Sequence, residues 1–369
     1  MRYAMIMAGG AGTRLWPLSK QGRPKQLIPF IERPGRSPAS LLELAANRLD
    51  GLVDESNRYI CTGESYRDAI RESLPSFTDD RILGEPMGRD TVNAVGFAAA
   101  VFAKQDPDAV FAVLTADHII EPQDVFHARM DLGFRLVEED PSRLVTFGIK
   151  PTHAATGYGY IERARPIPGT DGRAYNVARF VEKPDAPRAQ AYVESGNFGW
   201  NSGMFVFHAG TVMGCLQRFK PECFKGLMKI QASWGSPEQQ QVLSDVYPTL
   251  PKVSVDYAIM EPASDDEAVS IVGVEMDLTW LDVGSWPSYA ETLDADADGN
   301  RAAGGAELVS LDSTGNLVVL DSECESHTVA LLGCKDLIVI KTPNATLVMP
   351  KSRAEDLKAL HERVRDELK

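Results

Sequence analysis

The chain of 369 residues carries 52 acidic and 38 basic side chains, which gives a formal net charge of −14 at pH 7. Hydrophobic residues make up 44% and charged residues 24%, values typical of a globular protein with a sizeable core. The acidic balance argues against a nucleic-acid partner, because a phosphate backbone selects a basic surface. A nucleotide remains possible as a small substrate, since a few local cations suffice to hold one phosphate chain.

Cysteine usage and apolar segments exclude further classes. The five cysteines are odd in number and form no CxxC pair, so the sequence indicates neither a disulfide framework nor a zinc site. No apolar stretch reaches about 18 residues, and the N-terminus lacks the pattern of a signal peptide. We therefore expect a cytoplasmic protein with no membrane partner.

Short apolar runs alternate with helical patterns through the first half of the chain. The run at residues 3–8 ends at glycines, which is typical of a buried strand in a parallel sheet. Similar runs follow at 59–62, 109–114 and 144–149.

Two segments between these runs predict helices. Ser40 and Glu43 have the spacing of a capping box for a helix over 41–49. The alanine-rich stretch at 91–104 predicts a buried helix. Strands that alternate with helices predict an α/β, doubly wound domain.

The pattern changes after residue 289. Residues 294–305 are rich in Asp and Gly and are interpreted as a linker. Five short apolar runs then predict a small all-β or β-helical domain; they lie at 308–311, 317–320, 328–332, 337–340 and 346–349. The predicted domains are residues 1–290 and 301–369.

A charged amphipathic helix is predicted from about residue 352 to the end. Leu357, Leu360, Val364 and Leu368 would form one apolar stripe on it. The stripe is expected to pack on its own chain, with a subunit contact as the alternative.

A glycine-rich turn follows the first strand. Gly9, Gly10 and Gly12 lie before Thr13 and Arg14, and a second cation, Lys25, comes eleven residues after Arg14. Glycines let backbone N–H groups approach phosphate oxygens, and two nearby cations suit a departing pyrophosphate. The Rossmann and Walker fingerprints both fit this segment poorly.

The tryptophan-containing sequence GGAGTRLWPLS, followed by PKQ, resembles the signature of sugar-1-phosphate nucleotidyltransferases, and in particular of the mannose-1-phosphate guanylyltransferases. Seven further motifs follow in the family's order. They are EPMGRDT at 85–91, LTADH at 114–118, GYGYI at 157–161, FVEKP at 180–184, WNSGMF at 200–205, SVDYAIME at 254–261 and WLDVGSW at 280–286.

The resemblance implies a reaction and a fold. Mannose 1-phosphate would attack the α-phosphorus of GTP, forming GDP-mannose and pyrophosphate. The fold would be a Rossmann-like α/β domain with a mixed, mostly parallel sheet, followed by a small C-terminal, left-handed β-helix-like domain. The family also suggests a homodimer.

The resemblance further implies roles for particular residues. Arg14 and Lys25 would be catalytic, and Asp117 and Asp282 would hold Mg²⁺, which prefers carboxylate and phosphate oxygens. Asp117 follows an apolar strand and so should lie at the strand's carboxyl end. The nucleotide would contact Gly9, Gly10, Gly12, Thr13, Glu85, Asp90 and Thr91, and the sugar phosphate would contact Gly159, Glu182, Lys183 and Asn201.

Some alternatives stay open at this point. Asp90 stands where the family usually has Asn, and it could either accept hydrogen bonds from guanine or cap the helix that begins near Thr91. His118 is expected to orient its neighbours or pack. The protein could use another nucleotide or hexose 1-phosphate. It could instead be a non-catalytic paralogue that binds GDP-mannose.

Overall fold

The N-terminal apolar run forms a strand inside a large sheet. The computed structural model describes residues 1–10, 12–33, 35–324 and 327–369. Strand β1 (Arg2–Met7) is buried along its centre, as expected for a strand covered on both faces. The other three predicted runs are confirmed as β4 (Arg58–Gly63), β6 (Val110–Thr115) and β8 (Arg143–Ile149).

The sheet is mixed, as predicted. Its strands lie in the order β5-β4-β1-β6-β11-β8-β12-β10-β9. β1 pairs in parallel with β4 and β6, whereas the long β11 is antiparallel to β6 and β8. Parallel strands bring their carboxyl ends to one edge, where open α/β sheets bind ligands. The remaining strands of the sheet are β5 (Ile82–Glu85), β9 (Tyr160–Pro166), β10 (Ala174–Val181), β11 (Phe198–His208) and β12 (Ser270–Met276).

Both helices predicted between the N-terminal strands are confirmed. In α1 (Leu41–Asn47), the Ser40 N–H donates to Glu43 Oε2 at 2.6 Å and the Glu43 N–H donates to Ser40 Oγ at 3.2 Å, which is a capping box. Helix α3 (Thr91–Gln105) is buried over most of its length. The other helices are α2 (Arg67–Ser73), α4 (Gln123–Glu139), α5 (Ala186–Ser195), α6 (Ala209–Phe219), α7 (Pro221–Ser233), α8 (Gln239–Val246), α9 (Glu261–Ala263), α10 (Trp286–Ala290) and α11 (Leu357–Glu362).

The C-terminal region is a β-helix of stacked parallel strands. β14, β16 and β18 form one parallel ladder, and β15 and β17 form a second. Its strands are β14 (Arg301–Ala303), β15 (Ala306–Leu311), β16 (Leu317–Leu320), β17 (His327–Leu332), β18 (Leu337–Lys341) and β19 (Thr346–Pro350). The linker prediction is wrong for residues 301–303, because they pair with β16.

Two stacked asparagines hold successive turns of this β-helix. Asn300 Oδ1 accepts hydrogen bonds from the backbone N–H and the Nδ2 of Asn316, at 3.0 and 2.9 Å. Asn316 Oδ1 in turn accepts from the N–H of Leu337 at 2.9 Å. Both side chains are buried, so these bonds satisfy groups that water does not reach.

The predicted long terminal helix is wrong in extent. The segment consists of a 3₁₀ turn at Lys351–Asp356, the short α11, and a second 3₁₀ turn at Asp366–Leu368. Leu357 is buried and Val364 packs against the same core, whereas Leu360 is 44% exposed. A broken helix cannot keep four residues on one stripe.

The described chain divides into two compact units. The first comprises Met1–Gly9, Ala45–Thr115 and Ile120–Trp280, and the second comprises Gly10–Leu44, Ala116–Ile119 and Leu281–Lys369. From Gly10 onward, the glycine-rich turn therefore lies in the same unit as the C-terminal β-helix. The predicted boundary between residues 290 and 301 stays a prediction. Among the described residues, no helix is long and apolar enough to cross a membrane.

Two small two-stranded sheets lie outside the large sheet and the β-helix. A hairpin is formed by β2 (Ile31–Arg33) and β3 (Arg36–Ala39). The short strands β7 (His118–Glu121) and β13 (Thr279–Asp282) carry the two predicted metal-binding segments.

Candidate functional site

The glycine turn in the second unit is shaped by backbone conformation and by close packing. Gly10 and Gly12 have φ values of 96° and 64°, which favour glycine. A Cβ on Gly12 would lie 2.7 Å from the Cβ of Lys25. Only glycine therefore lets Lys25 approach the turn. Thr13 begins a short 3₁₀ turn, and Ala11 lies outside the described residues.

The predicted cation and the two predicted metal ligands lie together in this unit. Lys25 Nζ is 2.7 Å from Asp117 Oδ2. The backbone N–H of Val283 donates to the Asp117 carbonyl at 2.9 Å, which brings the neighbouring Asp282 beside Asp117. Asp117, His118 and Asp282 each offer a ligand atom, and these atoms all lie within 4.8 Å of one another.

The two carboxylates have opposite pKa shifts. Burial alone would raise the pKa of Asp117, but the charges of Lys25 and His118 outweigh it and lower that pKa to about 2. Burial and the charge of Asp117 raise the pKa of Asp282. Two adjacent carboxylates, one of them firmly ionised, form a donor set that fits a hard divalent cation.

Arg14 lies near Asp282, and its charge partly offsets the rise in the pKa of that carboxyl. A Cβ on Gly284 would be 3.4 Å from Arg14 Nη2 and 3.2 Å from Asp282 Oδ1. Arg14 Nη1 also forms an ion pair with Glu355 Oε1 at 3.1 Å. The pairing with Glu355 was not predicted, because 341 residues separate the two along the chain.

The predicted sugar-phosphate residues lie together in the first unit. Lys183 Nζ is 2.7 Å from Glu182 Oε1. A Cβ on Gly159 would lie 2.6 Å from Glu182 Oε2 and 3.3 Å from the Cβ of Asn201. Glycine at 159 therefore keeps open the space between the carboxylate and the amide. Lys183 itself has a φ of 45°, which turns the chain sharply after β10.

Asp256 is an additional carboxylate in this group. It accepts a hydrogen bond from Asn201 Nδ2 at 2.9 Å, while Thr146 Oγ1 donates to Asn201 Oδ1 at 2.7 Å. Burial, together with the nearby charge of Glu182, raises the pKa of Asp256 to about 7. The sequence motif at 254–261 contains Asp256, but no local pattern predicts a role for it, because its contact with Asn201 spans 55 residues.

The same motif supplies Glu261, whose role was also missed. Its Oε1 accepts from the backbone N–H of Glu182 at 2.9 Å and so fixes the end of β10. Asp256 begins a π-helical turn, Asp256–Met260, that runs directly into Glu261. Such turns are frequent at functional sites.

The predicted base-binding residues also lie in the first unit. Glu85, which ends β5, is buried, and it accepts a hydrogen bond from the Tyr247 hydroxyl at 2.6 Å. Burial raises the pKa of Glu85. Asp90 adopts the capping arrangement, since its Oδ1 accepts from the Thr91 N–H at 2.8 Å. Asp90 is exposed, and its role toward guanine stays a prediction.

The predicted site residues thus form groups inside each unit. The second unit holds Gly10, Gly12, Thr13, Arg14, Lys25, Asp117 and Asp282, and the first holds Gly9, Glu85, Asp90, Thr91, Gly159, Glu182, Lys183 and Asn201.

The mixed sheet and the cation–carboxylate cluster beside a glycine turn define the class of nucleotidyl transferases. The sequence model of the family described as nucleotidyl transferase matches residues 3–299. A second model, described as the MannoseP isomerase/GMP-like β-helix domain, matches residues 306–364.

Comparison with individual relatives identifies a narrower family within this class. The mannose-1-phosphate guanylyltransferase of Klebsiella pneumoniae is 37% identical over 361 residues, which cover 97% of this chain and 73% of the relative. The enzyme of that name from Escherichia coli K12 is 37% identical over 370 residues, covering 98% and 73%. A crystal structure from Thermus thermophilus, described as a mannose-1-phosphate geranyltransferase, has a TM-score of 0.83 and 31% identity over 98% of both chains. The chain belongs to the mannose-1-phosphate guanylyltransferase family.

Proposed function

We propose that the protein transfers GMP from GTP to α-D-mannose 1-phosphate, forming GDP-mannose and pyrophosphate. The observation that carries the proposal is the cluster in the second unit, where Lys25 packs on Gly12 and contacts Asp117 beside Asp282. The likeness to guanylyltransferases over nearly the whole chain supports the same reaction.

The proposed reaction requires no proton transfer by a side chain of the protein in the attack step. An oxygen of mannose 1-phosphate is already ionised at neutral pH, so it can attack the α-phosphorus of GTP without a general base. The chain's contribution is therefore alignment and charge neutralisation. Arg14 and Lys25 would neutralise the charge that develops on the leaving pyrophosphate, while N–H groups of the turn at Gly10, Gly12 and Thr13 would bind phosphate oxygens.

Asp117 and Asp282 would hold the metal ion, and we propose Mg²⁺. Carboxylates and substrate phosphates are the ligands that this ion prefers, and when bound it would neutralise phosphate charge. His118, whose Nε2 lies 3.7 Å from Asp117 Oδ1, would orient that carboxylate.

In the first unit, Lys183 would bind the phosphate of mannose 1-phosphate. Glu182 would accept hydrogen bonds from sugar hydroxyls, with Asn201 and the backbone of Gly159 as further contacts. The close grouping of these residues around the space at Gly159 supports this assignment.

Two carboxylates are candidates for guanine, because a carboxylate can accept from N1–H and N2–H of that base together. Glu85 is buried and Asp90 is exposed at the start of α3, where Thr91 would lie beside the nucleotide. Glu85→Gln and Asp90→Asn separate the two: the variant whose preference for GTP over ATP falls identifies the base contact. An unchanged preference in both variants would contradict both assignments.

The activity itself is tested by pyrophosphate release with GTP, ATP, UTP and dTTP, each combined with mannose 1-phosphate or glucose 1-phosphate. The highest rate is expected with GTP and mannose 1-phosphate. Equal or higher rates with ATP or UTP would contradict guanine specificity. Binding of GDP-mannose without turnover would instead favour a regulatory paralogue, although Arg14, Lys25, Asp117 and Asp282 are all retained.

We also propose that the protein acts in the cytoplasm as a homodimer, without a nucleic-acid or membrane partner. The net charge of −14 supports the absence of a nucleic-acid partner. Sedimentation equilibrium tests the homodimer, and a monomeric mass would contradict it.

A further inference from the structure

A buried ion pair links the segment before Lys25 to the C-terminal β-helix. Arg23 Nη1 donates to both carboxylate oxygens of Asp321, at 3.1 and 3.0 Å. The Asp321 side chain is only 1% exposed. A charge withdrawn from water in this way needs its partner, so the pair fixes the position of Arg23 far more firmly than a surface ion pair would.

The backbone transmits that position to Lys25 over a very short distance. Lys20 and Arg23 exchange two backbone hydrogen bonds, at 3.1 and 2.9 Å, and so close a tight turn. Pro24, with its restricted φ, is the single residue between Arg23 and Lys25. Little conformational freedom therefore separates the Arg23–Asp321 pair from the Lys25–Asp117 contact.

We propose that Asp321 is a positioning residue for the transfer reaction: by holding Arg23, it sets Lys25 against Asp117 and the glycine turn. This inference rests on the proposed function. It gives the β-helix a part in the phosphate site, because Asp321 follows β16 and its N–H donates to the Lys341 carbonyl that ends β18.

The inference predicts a specific kinetic effect. A small displacement of Lys25 should weaken stabilisation of the leaving pyrophosphate, so kcat for GDP-mannose formation should fall by about tenfold or more in Asp321→Asn. The KM for mannose 1-phosphate should stay unchanged, because Lys183 and Glu182 belong to the other unit. A role in stability alone would leave kcat unchanged well below the melting temperature.

Amide hydrogen exchange measured by mass spectrometry provides a second readout. In Asp321→Asn, residues 20–27 should exchange faster while the strands β16 and β18 keep their protection. Glu323→Gln is the matched control, since Glu323 lies 3.6 Å from the same Arg23 nitrogen but is 57% exposed. The control should leave kcat and the exchange of residues 20–27 unchanged.

Four outcomes of these experiments are distinguished. Lower kcat with faster local exchange supports the inference, and an unchanged kcat in folded Asp321→Asn overturns it. If that variant does not fold, the double variant Arg23→Gln/Asp321→Asn removes both charges, and its kcat decides in the same way. If the unmodified protein forms no GDP-mannose, the proposed function fails, and the exchange of residues 20–27 alone decides whether Asp321 positions this segment.

Discussion

Asp117 and Asp282 lie close together, yet their pKa values are shifted in opposite directions. Lys25 offsets the charge of Asp117, whereas burial and the charge of Asp117 disfavour ionisation of Asp282. Ionisation of Asp282 therefore costs free energy in the folded protein, and a bound cation would offset that cost. A carboxylate whose ionisation is unfavourable in the folded protein is a candidate for a functional role, because it does not stabilise the fold.

Asp282→Asn should lower turnover by orders of magnitude without lowering the melting temperature. The substitution removes a proposed metal ligand, and it also relieves repulsion with Asp117. Turnover as a function of Mg²⁺ concentration and a thermal melt test both parts. Asp277→Asn, at an exposed aspartate between β12 and β13, is the control. Unchanged turnover at saturating Mg²⁺ would remove Asp282 from the metal site.

Asp256 should make stability depend on pH. Its pKa is raised to about 7, so from about pH 4 to pH 7 the folded protein binds a proton that the unfolded chain has released. Stability contributed by this group is therefore lost as pH rises through that window. Asp256→Asn should be more stable than the unmodified protein at pH 8, with a difference that grows by at most about 1.4 kcal/mol per pH unit.

Urea unfolding of both proteins at pH 4, 5, 6, 7 and 8 measures this difference. The comparison at pH 4 is the internal control, because there Asp256 is largely protonated in the folded state and begins to ionise in the unfolded one. A difference that is constant over the whole range would contradict the raised pKa.

At the scale of elements, the C-terminal segment from residue 351 buries some of its apolar residues and exposes others, instead of packing along one continuous stripe. Leu357 is 1% exposed and Leu360 is 44% exposed, although both were predicted on one face. Leu357→Ala should lower the free energy of unfolding by about 2–5 kcal/mol because it leaves a cavity. Leu360→Ala should change it by less than about 0.5 kcal/mol. Equal effects in urea denaturation would show that the segment packs differently.

Sequence patterns of a few residues predicted several helices and strands, whereas the features they missed depend on contacts between residues far apart in the chain. The Ser40–Glu43 capping box and the glycine-delimited β1 depend on neighbours within a few residues, so the sequence displays them directly. Strand β14 and the Arg23–Asp321 pair depend on partners that only the folded chain brings close. The motifs pointed to Asp117 and Asp282 as candidate metal ligands, whereas Asp256 was recognised only through its contact with Asn201.

For the molecule as a whole, the acidic excess includes carboxylates that pair with the cations we propose to bind phosphate. Each cation assigned to a phosphate already has a carboxylate partner: Lys25 with Asp117, Arg14 with Glu355, and Lys183 with Glu182. A phosphate or metal ion bound as we propose would share or replace these pairings. The exposed Arg14–Glu355 pair, with 43% and 76% of the side chains exposed, is the weakest of them.

The residues that share each apolar core predict which segments lose their structure together when the molecule is destabilised. One apolar core in the second unit combines Leu15, Trp16 and Ile28 of the N-terminal segment with Trp286, Leu317 and Ile338. The segment that carries Arg14 and Lys25 therefore depends on the β-helix for its packing. A separate core fills the first unit, with Phe97 and Phe111 among its buried residues.

Ile338→Ala should accordingly make residues 12–28, which carry Arg14 and Lys25, lose their protection together with the β-helix. Ile338 is fully buried, and its truncation should destabilise the second unit by about 2–5 kcal/mol. Hydrogen exchange at increasing urea should show residues 12–28 and 317–341 losing protection together and earlier than in the unmodified protein. Residues 97–115 of the first unit provide the control and should keep their profile. If residues 12–28 stayed protected after 317–341 had opened, the shared core would not be what holds Arg14 and Lys25 in place.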